Sequence, residues 1–293
     1  MLSDKFKSGR DGFLQRELLF ILLAVFAVSL GSCDPDAGEG GYVTYPPDCL
    51  FIYSMKDAEK KIPAHPYGDS PERAIYLEVC MDMGDTSQPD NNYLRLLEVI
   101  GKSGKYVWLA FGGAAGGETV FTSPPLNEAA KGMDKIIGTS FPNNTKSIEA
   151  DTNGVSPLFF YENLKWVVGN KGLTEISASA FRSCKGIERA EYLPAKIIGE
   201  DAFRGCENLK TVDVFSVETI GDNAFFNCSS LEYITFLGAP PKLGSGVFLG
   251  STPSNFTIIR MKESVYLYTK WLSDNASNFN NGGKDIVFKD WVQ

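Results

Sequence analysis

The chain has 293 residues, a formal net charge of −8, six cysteines and one histidine. This acidic balance argues against nucleic acid and against anionic lipid surfaces as partners. The one histidine, His65, lies between Ala64 and Pro66 in a turn-rich stretch. A catalytic triad, a Cys–His dyad or a histidine-bearing zinc site needs more than this single residue provides.

Residues 1–32 are predicted to be a lipoprotein signal peptide. A basic beginning precedes an apolar run from Leu18 to Leu30, which is shorter than the ~20 residues that a membrane-spanning helix needs. The run leads into Leu30-Gly31-Ser32-Cys33, which resembles a bacterial lipobox, where the cysteine is diacylated and becomes the new N-terminus. The alternative is an ordinary signal peptide or a short membrane anchor with an incidental cysteine. Residues 33–41, which are rich in glycine, are predicted to be a flexible tether.

Residues 42–104 are predicted to form a small α/β cap at the N-terminal end. The pattern indicates a helix over 55–61 that Pro63 stops, a strand over 73–80, and a second helix that Asp90 caps and Gly101 ends. A separate binding domain is the alternative. Cys49 and Cys80 both lie in this region, and the sequence leaves open whether they form a disulfide because it does not give their distance.

Residues 105–157 are less clearly patterned. A strand is predicted over 105–111, and Ile136-Ile137 and Ser147-Ile148 are predicted to be short strands. The glycine-rich run at 112–117 is interpreted as a turn, because a phosphate-binding loop would continue into Lys-Ser or Lys-Thr and Glu118 would repel a phosphate.

Residues 176–236 carry an internal repeat. One phrase recurs at a constant period of 22 residues: Ile176-x3-Ala180-Phe181-x2-Cys184-x2-Ile187, Ile198-x3-Ala202-Phe203-x2-Cys206-x2-Leu209 and Ile220-x3-Ala224-Phe225-x2-Cys228-x2-Leu231. The apolar surface that a single rung buries cannot offset the conformational entropy that the rung loses on folding. Stacked rungs bury their apolar faces against each other. We therefore predict a solenoid with buried columns of phenylalanine, alanine and cysteine.

The phrase Ile-Gly-x-x-Ala-Phe-x-x-Cys-x-x-Leu resembles the BspA-type leucine-rich repeats of bacterial surface antigens. The resemblance implies a parallel strand per rung and degenerate outer copies. In the upstream copy Pro157-Leu158 replaces Ala-Phe and Tyr161 takes the Cys position, and the downstream copy is at Val247-Phe248. A strand at 256–259, a helix over 264–272 and a strand at 286–288 resemble the closure of such a solenoid. The predicted fold is thus an α/β leucine-rich-repeat solenoid over 105–293, which includes this C-terminal strand-helix cap.

Few residues elsewhere have the spacing of a reactive site. Carboxylate pairs such as Glu200 with Asp201 and Asp82 with Asp85 lie in predicted turns, where solvated acids are common. The three repeat cysteines are either stacked soft-metal ligands, one disulfide with a spare thiol, or buried packing groups, and their period favours packing. We predict no catalytic residue, no metal and no cofactor.

The strands of the solenoid are predicted to turn three columns of residues outward. The inward positions are assigned to Ala190 and Tyr192 and to their equivalents in later rungs, Val212 and Val214, Ile234 and Phe236. The outward columns are then Trp166, Arg189, Thr211 and Tyr233; Val168, Glu191, Asp213 and Thr235; and Asn170, Leu193, Phe215 and Leu237. Aromatic residues beside an arginine are enriched at interface hot spots. The alternative is that these apolar side chains are incidental or covered.

These patterns together predict a bacterial surface protein anchored by a lipid on Cys33, at the cell surface or facing the periplasm. Its repeat face is expected to bind a protein or glycan partner in adhesion or host interaction, a role that the resemblance implies. The alternatives are a lipid-anchored hydrolase that uses carboxylates and a structural coat protein.

Overall fold

A computed structural model describes residues 48–84, 90–111, 120–122, 128–142, 144–251 and 256–290. Two sheets enclose one apolar core, and each repeat contributes one strand to each sheet. The signal peptide, Cys33, the tether and the glycine-rich run at 112–117 lie outside the described residues.

The longer sheet, called sheet A here, has ten strands, and every pairing within it is parallel. The strand over 257–260 precedes the C-terminal helix, and the strand over 287–290 follows it at the edge of the sheet. In spatial order the strands are β1 (Leu50–Ile52), β2 (Ile75–Val79), β3 (Val107–Ala110), β5 (Ile136–Ser140), β7 (Trp166–Val168), β9 (Arg189–Glu191), β11 (Thr211–Asp213), β13 (Tyr233–Phe236), β15 (Thr257–Arg260) and β16 (Val287–Asp290).

The shorter sheet, called sheet B, lies across the core and also consists of parallel strands. Its buried side chains, which are Phe121, Ile148, Ile176, Ile198 and Ile220, face the same core as sheet A. In spatial order its strands are β14 (Lys242–Leu243), β12 (Thr219–Ile220), β10 (Ile197–Ile198), β8 (Glu175–Ile176), β6 (Ser147–Ile148) and β4 (Val120–Phe121).

A column of stacked phenylalanine rings forms the centre of the solenoid, as the period predicts. The Phe203 ring lies 4.8 Å from that of Phe181 and 5.1 Å from that of Phe225, with interplanar angles of 12° and 6°. The stack continues through Phe248 at 5.4 Å and Phe279 at 5.0 Å. Identical residues recur here because each rung offers the next one the same environment.

The repeat cysteines are buried packing groups that also donate hydrogen bonds. The Cys206 thiol lies 3.0 Å from the carbonyl oxygen of Phe181, and the Cys228 thiol lies 3.0 Å from that of Phe203. In the last rung the Ser251 hydroxyl takes the same role toward the carbonyl of Phe225. All three repeat cysteines are free thiols, and burial raises the pKa of the Cys184 thiol to about 12.

Close contact between rungs explains two repeat glycines. A Cβ atom at Gly199 would lie 2.5 Å from the nitrogen of Ala178, and one at Gly221 would lie 2.6 Å from the nitrogen of Glu200. Only glycine allows the rungs to approach this closely.

The predicted N-terminal cap continues sheet A, because β2 pairs with β3 across the predicted boundary at 104/105. Helices α1 (Met55–Ala64) and α2 (Asn92–Ser103) link its strands and pack on each other. Two predicted helix ends were wrong. Helix α1 continues through Pro63 to Ala64, and α2 passes Gly101 and ends at Ser103, followed by the C-cap residue Gly104 with a φ of 68°.

The N-terminal cap of α2 is Asn91 and not Asp90, because the Asn91 side chain accepts a hydrogen bond from the backbone N–H of Leu94 at 2.8 Å. Cys49 is a free thiol, so it does not form the disulfide with Cys80 that the sequence left open. At the other end, helix α3 (Val265–Asp274) lies between β15 and β16 as the sequence predicts.

A hydrogen bond from Tyr161 joins the repeats to the N-terminal region. Tyr161 takes the cysteine position of a degenerate rung, since its N–H bonds the carbonyl of Leu158 as the N–H of Cys184 bonds that of Phe181. Its hydroxyl lies 2.5 Å from that of Tyr93 on α2. The rung that meets the cap therefore replaces a thiol with a longer side chain that reaches the helix.

Candidate interaction surface

The outer face of sheet A, the side opposite the core, is the candidate site. The predicted column of Trp166, Arg189, Thr211 and Tyr233 is assembled here, because these residues are direct partners on β7, β9, β11 and β13. All four are half-buried. The backbone therefore holds them at neighbouring-strand spacing, about 4.8 Å apart.

Toward the N-terminal end this column continues into an aromatic patch. The rings of Tyr76 and Trp108 stack with centroids 5.3 Å apart. The Trp108 indole lies over Gly138, where an added Cβ would meet the indole Nε1 at 2.2 Å. Trp166 packs against this cluster. The glycine therefore makes room for a large ring to lie flat on the sheet.

The third predicted column is wrong at Leu193. Leu193 is fully buried in the core, whereas Tyr192, predicted to point inward, is half-buried and packs against the outer cluster. The cause is the backbone of Tyr192, whose φ of 49° reverses the alternation at the end of β9. The Tyr192 ring lies 5.9 Å from that of Phe215, edge to face.

The remaining members of that column differ in exposure. Phe215 and Leu237 are half-buried, as an outer position allows. Asn170 is buried, its Nδ2 donates to the carbonyl of Pro142 at 2.8 Å, and its Oδ1 accepts from the N–H of Gly172 at 2.7 Å. The aromatic pair Tyr192 and Phe215 thus replaces the predicted apolar strip of Leu193, Phe215 and Leu237.

Two carboxylates lie side by side in the second column, and we call Glu191 and Asp213 the acidic pair. They occupy equivalent positions on β9 and β11, whose register is fixed by Thr211 opposite Arg189. Glu191 is 8% exposed. Arg189 Nη1 lies 3.5 Å from Glu191 Oε1, and the positive charge of Arg189 also acts on the Asp213 carboxylate.

Burial perturbs both acids of this pair. Desolvation, with a smaller contribution from the charge of Asp213, raises the pKa of Glu191 to about 7 against the opposing effect of Arg189. Desolvation also raises the pKa of Asp213, although the Thr235 hydroxyl and Arg189 act in the opposite direction. A carboxyl group whose pKa is perturbed by desolvation and a charged neighbour is a functional-site candidate.

Sequence reasoning missed the acidic pair because it sought carboxylates that are close together along the chain. Glu191 and Asp213 are one repeat period apart, so the period itself was the signal. The turn acids that it considered have structural roles. Asp201 pairs with Arg182 and Arg204, each at 3.2 Å, and the Asp82 side chain accepts a hydrogen bond from the N–H of Gly84. Asp85 lies outside the described residues.

The described residues contain no group of three or more histidine, cysteine, aspartate or glutamate side chains that is placed to hold a metal ion. Burial is the main cause of the lowered pKa of His65. Within the same described ranges, no helix has both the length and the apolar character that crossing a membrane requires.

Comparison with known proteins bears on the repeats. Residues 128–255 match, in six copies, the family model described as the BspA type leucine-rich repeat region. The chain is similar to a leucine-rich repeat protein from Bacteroides ovatus, with 17% identity and a TM-score of 0.38 over 64% of this chain and 52% of that chain. It is also similar to a leucine-rich repeat protein of T. pallidum, with 20% identity and a TM-score of 0.37 over 63% of this chain and 85% of that one. The chain thus spans about half the length of the first of these proteins. No curated protein matches it.

Proposed function

Because residues 128–255 of this chain match the BspA type leucine-rich repeat family, we propose that it is a bacterial surface protein that recognises a protein partner through the outer face of sheet A. The observation that carries this proposal is the in-register column of Trp166, Arg189, Thr211 and Tyr233. Two aromatic residues and an arginine in one half-exposed row have the composition of an interface hot spot.

The rigidity of the face supports a binding role. Each outer residue is attached to a strand whose inner neighbours, Val167, Ala190, Val212 and Ile234, are fully buried. A partner that docks here therefore meets side chains whose backbone is already ordered, which lowers the entropic cost of association.

We further propose that the protein is held at the membrane surface by lipid on Cys33, at the cell surface or facing the periplasm. The lipobox-like sequence and the apolar run before it support this placement. A lipid anchor on a short tether would leave the outer face open to partners, which include adhesion ligands on a host.

Site-specific cross-linking tests the proposed binding face. A photo-reactive amino acid replaces Thr211 on the outer face, or Thr219, which lies in the same rung but is exposed on sheet B. Full-length protein in cells should then cross-link to a partner protein from position 211 and not from position 219. Equal cross-linking from both positions, or cross-linking from 219 alone, would contradict the assignment of the face.

A second candidate function, a hydrolase that uses two carboxylates, is favoured by one observation, the acidic pair itself. A carboxyl group with a pKa of about 7 next to a second carboxylate resembles the acid and nucleophile of retaining glycosidases. Release of nitrophenol from a panel of nitrophenyl glycosides, lost in Glu191→Gln, would establish this activity. Nitrophenol release that persists in Glu191→Gln would show that another group catalyses the hydrolysis.

A further inference from the structure

We propose that the acidic pair is the docking point for an arginine or lysine side chain of the protein partner. This inference rests on the proposed function, since it concerns the chemistry of the same face. Glu191 and Asp213 project from neighbouring parallel strands at the same register, so their carboxyl groups flank one position on the surface.

The charge balance at this position is negative. Arg189 is the neighbouring cation on β9, and its side chain is 34% exposed whereas that of Glu191 is 11% exposed. The facing part of β7 contributes Trp166 and Val168, which carry no charge. Above pH 7, where Glu191 is ionised, two carboxylates beside the Arg189 guanidinium leave one negative charge for an incoming cation to neutralise.

The side chains around the acidic pair suit an arginine, which has a planar guanidinium, or a lysine, which has an aliphatic stem. Trp166 lies on the β7 side of the pair, and Tyr192 with Phe215 lies beyond it along the strands. Aromatic faces attract guanidinium and ammonium groups, and more so where water is displaced. Lys289 already lies 5.6 Å from the centre of the Tyr233 ring on the same face.

Two polar atoms in the first column have unused hydrogen-bonding capacity. Trp166 Nε1 and Thr211 Oγ1 are buried and have no hydrogen-bond partner among the residues that the structure describes. Trp166 on β7 and Thr211 on β11 lie on the two sides of Arg189. Hydrogen bonds to these two atoms are therefore left for a docked partner to supply.

The raised pKa values of the acidic pair favour a cationic ligand over a neutral sugar. The raised pKa values of Glu191 and Asp213 mean that holding both charges in this environment is unfavourable. A bound guanidinium would compensate the desolvated carboxylates with a positive charge. The hydroxyl groups of a neutral sugar could donate hydrogen bonds to the carboxylates, but the sugar would bring no charge.

The test uses the full chain and a blocked hexa-arginine peptide at physiological ionic strength, where screening acts beyond about 8 Å. The variants are Glu191→Gln with Asp213→Asn, and a control with the same charge change, Glu207→Gln with Glu218→Gln. Of the control carboxylates, Glu207 is half-buried and Glu218 is exposed, and both lie off the outer face. A neutral hexasaccharide serves as the alternative probe.

We expect the outer-face double variant to lose at least about tenfold in affinity for the peptide, because a desolvated charge pair loses a partner. The control should change less than about twofold. Peptide binding to the wild type should also weaken as the pH falls from about 8 to below 6, since Glu191 gains a proton near its pKa of about 7. That pH dependence should be absent from the outer-face variant.

Equal losses in both double variants would overturn the proposal, because the peptide would then be responding to net charge alone. Undetectable peptide binding would overturn it too, as would hexasaccharide binding that requires Glu191 and Asp213. The isosteric substitutions relieve repulsion and should fold, which circular dichroism checks. None of these results decides the proposed function, which the cross-links from positions 211 and 219 test independently.

Discussion

Replacing Glu191 by glutamine should stabilise the protein at neutral and alkaline pH. In the folded chain the pKa of Glu191 is raised from its ordinary value of 4.5 to about 7. Each unit corresponds to about 1.4 kcal/mol, so the ionised carboxylate lowers the free energy of unfolding by about 3 kcal/mol once both states have lost the proton.

The direction of this pH dependence follows from the number of protons that the folded and unfolded states bind. Between pH 4.5 and about 7 the folded state binds more protons at Glu191 than the unfolded state does. The free energy of unfolding therefore falls as the pH rises through this window, and it is lowest above pH 7. Glu191→Gln carries no titrating proton, so its advantage over wild type should be near zero at pH 4.5 and largest near pH 8.

Urea unfolding across this pH range, followed by circular dichroism, measures the effect. Glu207→Gln serves as the matched control, because Glu207 is half-buried beside Lys185 off the outer face. We expect the wild-type and Glu191→Gln curves to diverge as the pH rises, while Glu207→Gln runs parallel to wild type. Parallel curves for all three proteins would show that Glu191 is not held in a desolvating position.

Three further changes test the core and the anchor. Phe203→Ala removes the middle of the stacked rings and should lower the free energy of unfolding by about 3–5 kcal/mol, whereas Phe159→Ala, which is 47% exposed, should cost less than about 1 kcal/mol; similar urea midpoints for the two would contradict the column. Cys206→Ser should cost less than about 1 kcal/mol, because the hydroxyl can donate to the Phe181 carbonyl as the thiol does; a loss above about 2 kcal/mol in the same assay would disprove this. Cys33→Ser should release the protein from the membrane fraction, because the lipid would have no attachment point; protein that still sediments with membranes after a high-salt wash would refute lipidation at Cys33.

The repeat period predicted the solenoid because each rung places identical residues in identical surroundings. From the spacing alone, Phe181, Phe203 and Phe225 were expected in one buried column, and the structure confirms this. The outer column from Trp166 to Tyr233 was predictable for the same reason, since strand alternation and a fixed period together give the register.

What the period does not encode is local backbone conformation. Alternation assigned Tyr192 inward and Leu193 outward, and the positive φ of Tyr192 exchanged them. In the next rung Val214 is buried and Phe215 is half-buried, so the side chains of that rung follow the alternation. The two rungs therefore share a period but not every side-chain direction.

The N-terminal region could be predicted only element by element. Its helices α1 and α2 replace the short turns of the later rungs, so the 22-residue period is absent. The strands β1, β2 and β3 nevertheless join sheet A by parallel pairing. Long-range pairing of this kind leaves no local signature in a single sequence.

Binding of the cross-linked partner to a triple variant tests the central proposal, recognition by the outer face, most directly. The variant combines Trp166→Ala, Phe215→Ser and Tyr233→Ala. Its control combines Phe159→Ser, Phe226→Ala and Tyr266→Ala, three aromatic residues off that face and at least partly exposed. We expect the outer-face variant to lose at least about a hundredfold in affinity, in line with two or more hot-spot residues, and the control to stay within about threefold. Unchanged affinity of the outer-face variant, with its melting temperature intact, would contradict recognition by this face.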